Sequence, residues 1–461
     1  MSKYEMAHKE ACEMKKKLNV GVVVTLSGRW PRELPEKRFK EYGEWSEKEL
    51  GNCNVIRFDR VVCTKEDMLE CIDTFKKKEV ELLIMVYGAF TGDDICCGFA
   101  DALQVPIILW APREEEWVRE DRLYANALCC AAMNGASLMR IHAPHHIVFG
   151  NKEEERAATE IKNLVTAYEA VKNIKGLTFG LFGYRPTAFY NCAFDEVVMR
   201  RTFGINVEET DLKVVFDRMA ALPDDVVAAE QEKAEKLWNT KEVPEGHMEN
   251  HARLYLVLKE LMKEQKYDYA TIKCWPEMGN LHTTPCAVLG RLMDEGISIG
   301  CEGDVDAGIA SLVQNVLTEE PTFITDLINL DEKENTVTFW HCGNAAPSLH
   351  NEKDGVKMCN HPLLGQGTAF WCSLKEGPVT AARFTNIDGQ YRLFLLKGTA
   401  VPTVRNTRGS MVNVKVDTPV LDLVKEIAEQ GMSHHYSLVW EDVAEQMELV
   451  AKLLNIPVIK L

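Results

Sequence analysis

Short, continuous apolar runs recur through the first part of the chain: VGVVVTL (20–26), VELLIMVYGA (80–89), VPIILWAP (105–112) and HIVFG (146–150). They are rich in β-branched residues and do not alternate with polar ones, as expected of parallel strands covered on both faces. Between them, KEDMLECIDTFKKK and DDICCGFADAL carry apolar residues at helical spacing. Strands alternating with helices predict a doubly wound domain. The long amphipathic stretch EEERAATEIKNLVTAYEAVKN closes it near residue 173.

A second α/β pattern starts at GLTFGLFG (176–183) and runs through charged segments at 207–239 and 247–265, read as helices, to YDYATIKCW (267–275). There follow a helix ending at Gly296, the strand ISIGCEGD running into a loop, and the helix VDAGIASLVQNVL (305–317). Beyond about residue 320 the pattern changes. PTFITDLINL and TVTFWHCG flank the turn DEKEN, and VTAARFTN and YRLFLLKGTAV flank IDGQ, so two hairpins are predicted. A helix, TPVLDLVKEIAEQG, and a last strand, IPVIKL, complete the chain. The expected class is α/β: two doubly wound, Rossmann-like α/β domains (1–172 and 173–320), then a mainly antiparallel β domain (321–461). A length of 461 residues accommodates this at about 100–200 residues per domain. No internal repeat or low-complexity stretch appears.

Composition narrows the function classes. There are 53 basic against 70 acidic residues, a net charge of −17, and the basic residues are dispersed. A nucleic-acid groove needs a concentrated basic footprint, so nucleic acid is not expected as a partner. No stretch approaches the roughly 18 apolar residues of a membrane span, and the charged N-terminal segment lacks the apolar centre of a signal peptide. A cytoplasmic location is the expectation, with no membrane partner. The 15 cysteines include the neighbours Cys96–Cys97 and Cys129–Cys130 but no C-x-x-C, which argues against zinc-ribbon and thioredoxin-like sites. They are read as reduced, mostly buried residues. No G-x-G-x-x-G follows the early strands; GAFTGDD and GLFGYRP do not match it, which weakens a nicotinamide-dehydrogenase reading.

The residues able to do chemistry lie in the second half. GCEGDVDAGI (300–309) places Glu302 and Asp304 where a strand ends and a helix begins. That position suits a solvated turn, or a metal or proton-transfer site. In the hairpin 322–342, Asp326 and His341 fall nearly opposite each other, where facing side chains sit about 5 Å apart. They either share a site or form a sheet-surface pair, and a one-residue slip would separate them. GMSHHYSLVW (431–440) carries His434 and His435. Neighbours on an extended segment face opposite sides, so at most one of them enters a given site. Glu302, Asp326, His341 and one of the two histidines would make an oxygen–nitrogen donor set suited to Mn2+, Mg2+, Co2+ or Zn2+.

The ordered set GISIGCEGDVDAGI, FITDLINLDEKENTVTFWHCGNAAPSL and GMSHHYSLVW resembles the L-fucose/L-arabinose isomerase superfamily. GLFGYRPTAFYNCAFDE and KCWPEM agree with it, and the resemblance extends over essentially the whole chain. It implies a metal-dependent aldose–ketose isomerase acting on a free sugar, fucose- or arabinose-like or a modified hexose, through a cis-enediol. The implied ion is Mn2+, with Mg2+ or Co2+ as alternatives. Glu302 becomes a metal ligand and proton-transfer group, Asp326 the second acid and His435 the C-terminal histidine ligand. His341 matches a further ligand of the arabinose isomerases. Asp304 is then read as the cap of the helix starting at Val305, and His434 as turned away from the site.

Trp275, Trp340 and Tyr436 are candidates for packing against a sugar, or for the core. Arg185 and Tyr190, in GYRPTAFYN, either touch substrate hydroxyls or anchor their loop. The resemblance also implies a closed homotrimer or homohexamer. Two rivals stand: a non-catalytic sugar-binding protein, and a metal-dependent sugar epimerase or lyase using the same enediol.

Overall fold

The computed structural model describes residues 17–114 and 123–460. Lys16–Lys172 and Asn173–Leu461 form two compact units. The first is built on strands β1 (Asn19–Thr25), β2 (Asn54–Arg57), β3 (Leu82–Tyr87), β4 (Ile107–Ala111) and β5 (His145–Phe149), all parallel, in the order β2-β1-β3-β4-β5. Every residue of β3 and β4 is buried, which is why those runs are apolar without alternation. Helix Lys65–Lys77 starts at a capping box between Thr64 and Asp67. The edge strand β2, NVIR, was not legible in the hydropathy pattern: it is four residues long and half-exposed.

The second unit opens with a four-stranded parallel sheet, β10-β9-β6-β7, made of β6 (Thr178–Phe182), β7 (Asn206–Thr210), β9 (Tyr269–Ile272) and β10 (Ile299–Cys301). Residues 207–210, expected in a charged helix, form instead most of β7. As an edge strand it leaves Glu208 and Glu209 in solvent, so its acidic residues read like a helix surface. Helices follow at Leu212–Ala221 and Asp224–Leu237.

The remaining strands are β8 (Asn239–Glu242), β11 (Phe323–Asp331), β12 (Thr336–His341), β13 (Lys357–Cys359), β14 (Ala369–Ser373), β15 (Gly377–Ile387), β16 (Gln390–Val401), β17 (Ser410–Val416), β18 (His435–Val439) and β19 (Val458–Lys460). They form one ten-stranded sheet in the order β19-β16-β15-β18-β11-β12-β17-β14-β13-β8. A further β16–β17 pairing closes β16, β15, β18, β11, β12 and β17 into a barrel. Both predicted hairpins form, β11–β12 across Glu332–Asn335 and β15–β16 across Asp388–Gly389. The sheet is mainly antiparallel, with parallel pairs β8–β13, β14–β17 and β16–β19. Strand β8 reaches it from before residue 320.

Helix Val305–Thr318 ties this unit together. It packs on β9 and β10 of the parallel sheet and on β15 and β18 of the barrel. Its apolar residues are buried on every face near its start, and Gln314 donates to the carbonyls of Thr380 and Ser437. The chain between β10 and this helix is CEGD.

Candidate metal centre

Strand β10 ends at Cys301, and the next two residues turn through left-handed backbone, Glu302 at φ 64° and Gly303 at φ 65°. Gly303 admits no side chain: a Cβ there would lie 1.9 Å from the carbonyl oxygen of Tyr184. The loop after β6 is thereby seated on the CEGD turn. Glu302, a non-glycine residue in this region, is held in a conformation costing about 1–3 kcal/mol, of the kind found at functional sites. Asp304 then caps the helix, accepting the Ala307 N–H at 3.0 Å.

Asp304 has a second role that the capping reading did not include. Its Oδ2 accepts from Nδ1 of His435 at 2.9 Å and from Nη1 of Arg383 at 2.9 Å, and its Oδ1 from Nη2 of Arg383 at 3.3 Å. The Cys192 thiol donates to the same Oδ2 at 3.7 Å. Arg383 also donates to the His435 carbonyl at 2.9 Å. Burial opposes the Asp304 charge, but the buried Arg383 guanidinium and the His435 hydrogen bond outweigh it and hold the carboxyl well below its usual range. A carboxylate fixed on Nδ1 directs Nε2 of His435 the other way, as in carboxylate–histidine–metal arrangements.

Nε2 points at two more carboxylates, lying 3.5 Å from Glu302 Oε2 and 3.5 Å from Asp326 Oδ1. Asp326 arrives by register: it pairs with His435 across β11–β18 and with Trp340 across β11–β12. His341 is thus one residue out of register with Asp326, opposite Ser410. It still belongs to the cluster, because it ends β12 and its ring centroid is 5.6 Å from that of His435. One donor atom each from Glu302, His341 and His435 lies within 4.8 Å of the others, as does one each from Asp326, His434 and His435.

Burial pushes the Glu302 and Asp326 carboxyls up. Burial likewise drives His341 well below its usual value, so its imidazole is neutral. For His435 burial works against the charge, but Asp304, Cys192, Glu302 and Asp326 raise it well above its usual value. Three buried atoms here have no hydrogen-bond partner: Asp326 Oδ1, His341 Nδ1 and His435 Nε2. An unsatisfied buried polar atom costs about 1–3 kcal/mol. Carboxylate oxygens and imidazole nitrogens in two donor groups that share His435 fit a divalent cation.

His434 is not turned away. It lies in a bend before β18, where strand alternation does not apply. Its ring is 4.0 Å from that of His435 and stands edge-on to Phe189, and Asn191 Nδ2 donates to its Nδ1 at 2.8 Å. Around the rim, the Arg185 guanidinium rests over Tyr184 at 5.3 Å and Tyr190 at 5.2 Å. Its Nε is buried without a partner, and its hydrogen bond to Pro186 O is long, 3.4 Å. Tyr190 is 77% exposed. Trp275 packs against Phe189 at 5.3 Å. Trp340 donates to the Arg408 carbonyl at 2.8 Å and lies on the Cys286, Cys342 and Cys359 cluster. Tyr436 is a core residue, 1% exposed between Phe339 and Phe394, which withdraws its ring from any sugar.

Sequence reasoning missed Arg383, Cys192, Asn191 and the inward place of His434. Arg383 did leave a signal, a lone arginine inside the apolar strand run VTAARFTN.

The chain matches family models described as the N-terminal domain of fucose/sulfoquinovose isomerase (residues 21–175), the L-arabinose isomerase central domain (192–320) and the L-fucose isomerase C-terminal domain (339–461). It is 29% identical to a sulfoquinovose isomerase of Alkalicoccus urumqiensis, over 78% of this chain and 82% of that protein. It is 27% identical to a sulfoquinovose isomerase of Priestia aryabhattai, over 88% of this chain and 91% of that one. An L-arabinose isomerase of Thermotoga petrophila is 25% identical, over 64% of this chain and 61% of its own length.

Proposed function

Since the chain belongs to the L-fucose/L-arabinose isomerase superfamily and is an enzyme of the aldose–ketose isomerase class, we propose that it moves the carbonyl of a free hexose bearing an anionic C6 substituent, a 6-sulfonated sugar. The observation that carries the site assignment is His435 Nε2, buried without a hydrogen-bond partner, 3.5 Å from both the Glu302 and the Asp326 carboxylates and sharing a donor group with Glu302 and His341. The sulfonated substrate is supported by the names of the relatives and by Arg185, a guanidinium with an unpartnered Nε, whose backbone adjoins the CEGD turn. A planar guanidinium suits a tetrahedral oxyanion, as it suits phosphate.

Glu302, Asp326 and His435, with His341, would hold one Mn2+, or Mg2+ or Co2+ in its place. Bound there, the ion would supply Lewis-acid stabilisation of negative charge on the sugar oxygens. The residues supply the proton chemistry. Isomerisation through a cis-enediol takes a proton from C2 and returns it to C1, together with a proton shift between the two oxygens. Glu302 and Asp326 are two carboxylates made more basic by burial, each 3.5 Å from Nε2 of His435. Asp304 stays ionised and keeps Nε2 of His435 aimed at them. The same reading includes a closed homotrimer or homohexamer in the cytoplasm. Among the described residues, no helix is long and apolar enough to cross a membrane.

The test is a panel of aldoses, including fucose, arabinose and 6-sulfonated hexoses, incubated with enzyme and Mn2+ in deuterated water. The expected result is a ketose of unchanged carbon skeleton, fastest with the sulfonated sugar, and lost in Glu302→Gln. Carbon–carbon cleavage or inversion without carbonyl movement would replace the isomerase reading. Binding without turnover would point to a sugar-binding protein.

A further inference from the structure

Glu302 also belongs to a second donor set. Cys301 is the last residue of β10, and β10 pairs with β9 so that Ile272 lies opposite Cys301. Cys274 follows two residues beyond Ile272, which brings both thiols to the same strand ends. They are 6% and 1% exposed for Cys274 and Cys301. Their Sγ atoms and one Glu302 oxygen all lie within 4.8 Å of one another. Cys286 and Cys342, also buried, border the pair.

We propose that Cys274, Cys301 and Glu302 form a soft-cation site, for Zn2+ or Cd2+, whose filling withdraws Glu302 from the hard-ion cluster. A tetrahedral ion with bonds of about 2.3 Å to sulfur needs donors roughly 3.8 Å apart, which these three reach by small side-chain movements. Thiolate donors select d10 cations, whereas the Glu302–His341–His435 set contains no sulfur. The Cys286 or Cys342 thiol, or water, would complete the shell.

Ligation by ordinary thiols displaces protons: M2+ plus two thiols gives the dithiolate complex plus two H+. The cation site stands on its own geometry, while its competition for Glu302 rests on the proposed metal centre.

The test uses the full-length chain with Cys12, Cys63, Cys97 and Cys129 replaced by Ser, which removes thiols of the N-terminal part of the chain. Cd2+ is added to the EDTA-treated protein. Expected are a thiolate-to-cadmium charge-transfer absorption, release of two protons per Cd2+, and a tenfold or greater loss of Mn2+ affinity by electron paramagnetic resonance. All three should vanish when C274S and C301S are added. Absence of the absorption in the parent, or its survival in the double serine variant, overturns the site. Absorption with unchanged Mn2+ affinity overturns the shared Glu302. Failure of Mn2+ to bind at all would count against the proposed metal centre and leave the cadmium readout intact.

Discussion

The two parallel sheets of this molecule end differently at their carboxyl edges. In the first unit the polar groups there satisfy one another: Thr25 and Thr91 share a 2.8 Å hydrogen bond, Tyr87 donates to Asn134 at 2.9 Å, and Asn134 donates to Asp93 at 2.7 Å. In the second unit the matching edge carries Glu302, grouped with His341 and His435, and Asp326, His341 and His435 each keep a buried atom without a hydrogen-bond partner. Both are α/β crevices of the type that binds ligands. The difference teaches that strand order locates a crevice, while chemistry is found where buried polar atoms are left unpaired, since folding alone would pair them.

The sharpest way to break this contrast is to remove the acids of the second unit. Glu302→Gln and Asp326→Asn should each lower kcat by about 10²–10⁴, the usual size of a lost general acid or base, and leave the fold intact. Full activity in both variants would end the isomerase site assignment. Next comes the support beneath the site. Arg383 and Asp304 are a fully buried ion pair, and Arg383→Met leaves the Asp304 charge uncompensated. The expected loss of stability is about 3–5 kcal/mol, read by denaturant unfolding; Arg383→Met with Asp304→Asn should recover part of it.

The histidines sharpen the contrast within one dipeptide. His435→Ala should weaken Mn2+ binding by a factor larger than His434→Ala does, by calorimetry. His434→Ala is nonetheless expected to weaken it measurably, within the roughly 10–100-fold range of residues that orient ligands, because its ring lies against His435. If His434→Ala is silent, its place in the cluster is only packing. In the first unit, Asn134→Leu should behave in the opposite sense: it strands the Tyr87 hydroxyl, costs about 1–3 kcal/mol of stability, and leaves Mn2+ affinity unchanged. A loss of Mn2+ binding there would erase the distinction between the two edges.

How much of this was legible in the chain follows from how local each signal is. Continuous apolar runs gave β1, β3 and β4 because burial on both faces forces the composition. Strands β2 and β7 escaped because they are short edges with polar residues in solvent. The ligand candidates were visible as an ordered motif set, and the DEKEN turn placed Asp326 to within one residue. The Asp304–Arg383 pair spans 79 residues and joins a helix cap to a barrel strand, so neither local pattern announces the other. Tyr436 was drawn to the site by its neighbour His435, yet alternation along β18 puts it in the core.

The smallest effect expected concerns Asp306, one turn of logic away from the site. Its carboxyl is buried, and desolvation pushes it up to about 7 from a usual 3.8, with Arg383 opposing that rise and Asp304 adding to it. Its Oδ1 accepts from the Tyr391 hydroxyl at 3.0 Å and its Oδ2 from the Asn386 N–H at 3.4 Å. With the folded value raised, the native state holds a proton that the unfolded chain has released between about pH 4 and 7. Stability must therefore fall as pH rises through that window, by about 1.4 kcal/mol per pH unit at its steepest, and level off above it. Asp306→Asn removes this dependence and keeps an acceptor for Tyr391. Measured by urea unfolding at pH 5, 6 and 8, the variant should gain on the parent protein between pH 5 and 6 by about 1 kcal/mol, and no further beyond pH 8. Parallel profiles for the two proteins would mean that Asp306 is ionised in the fold throughout, balanced by Arg383 in the same way as Asp304.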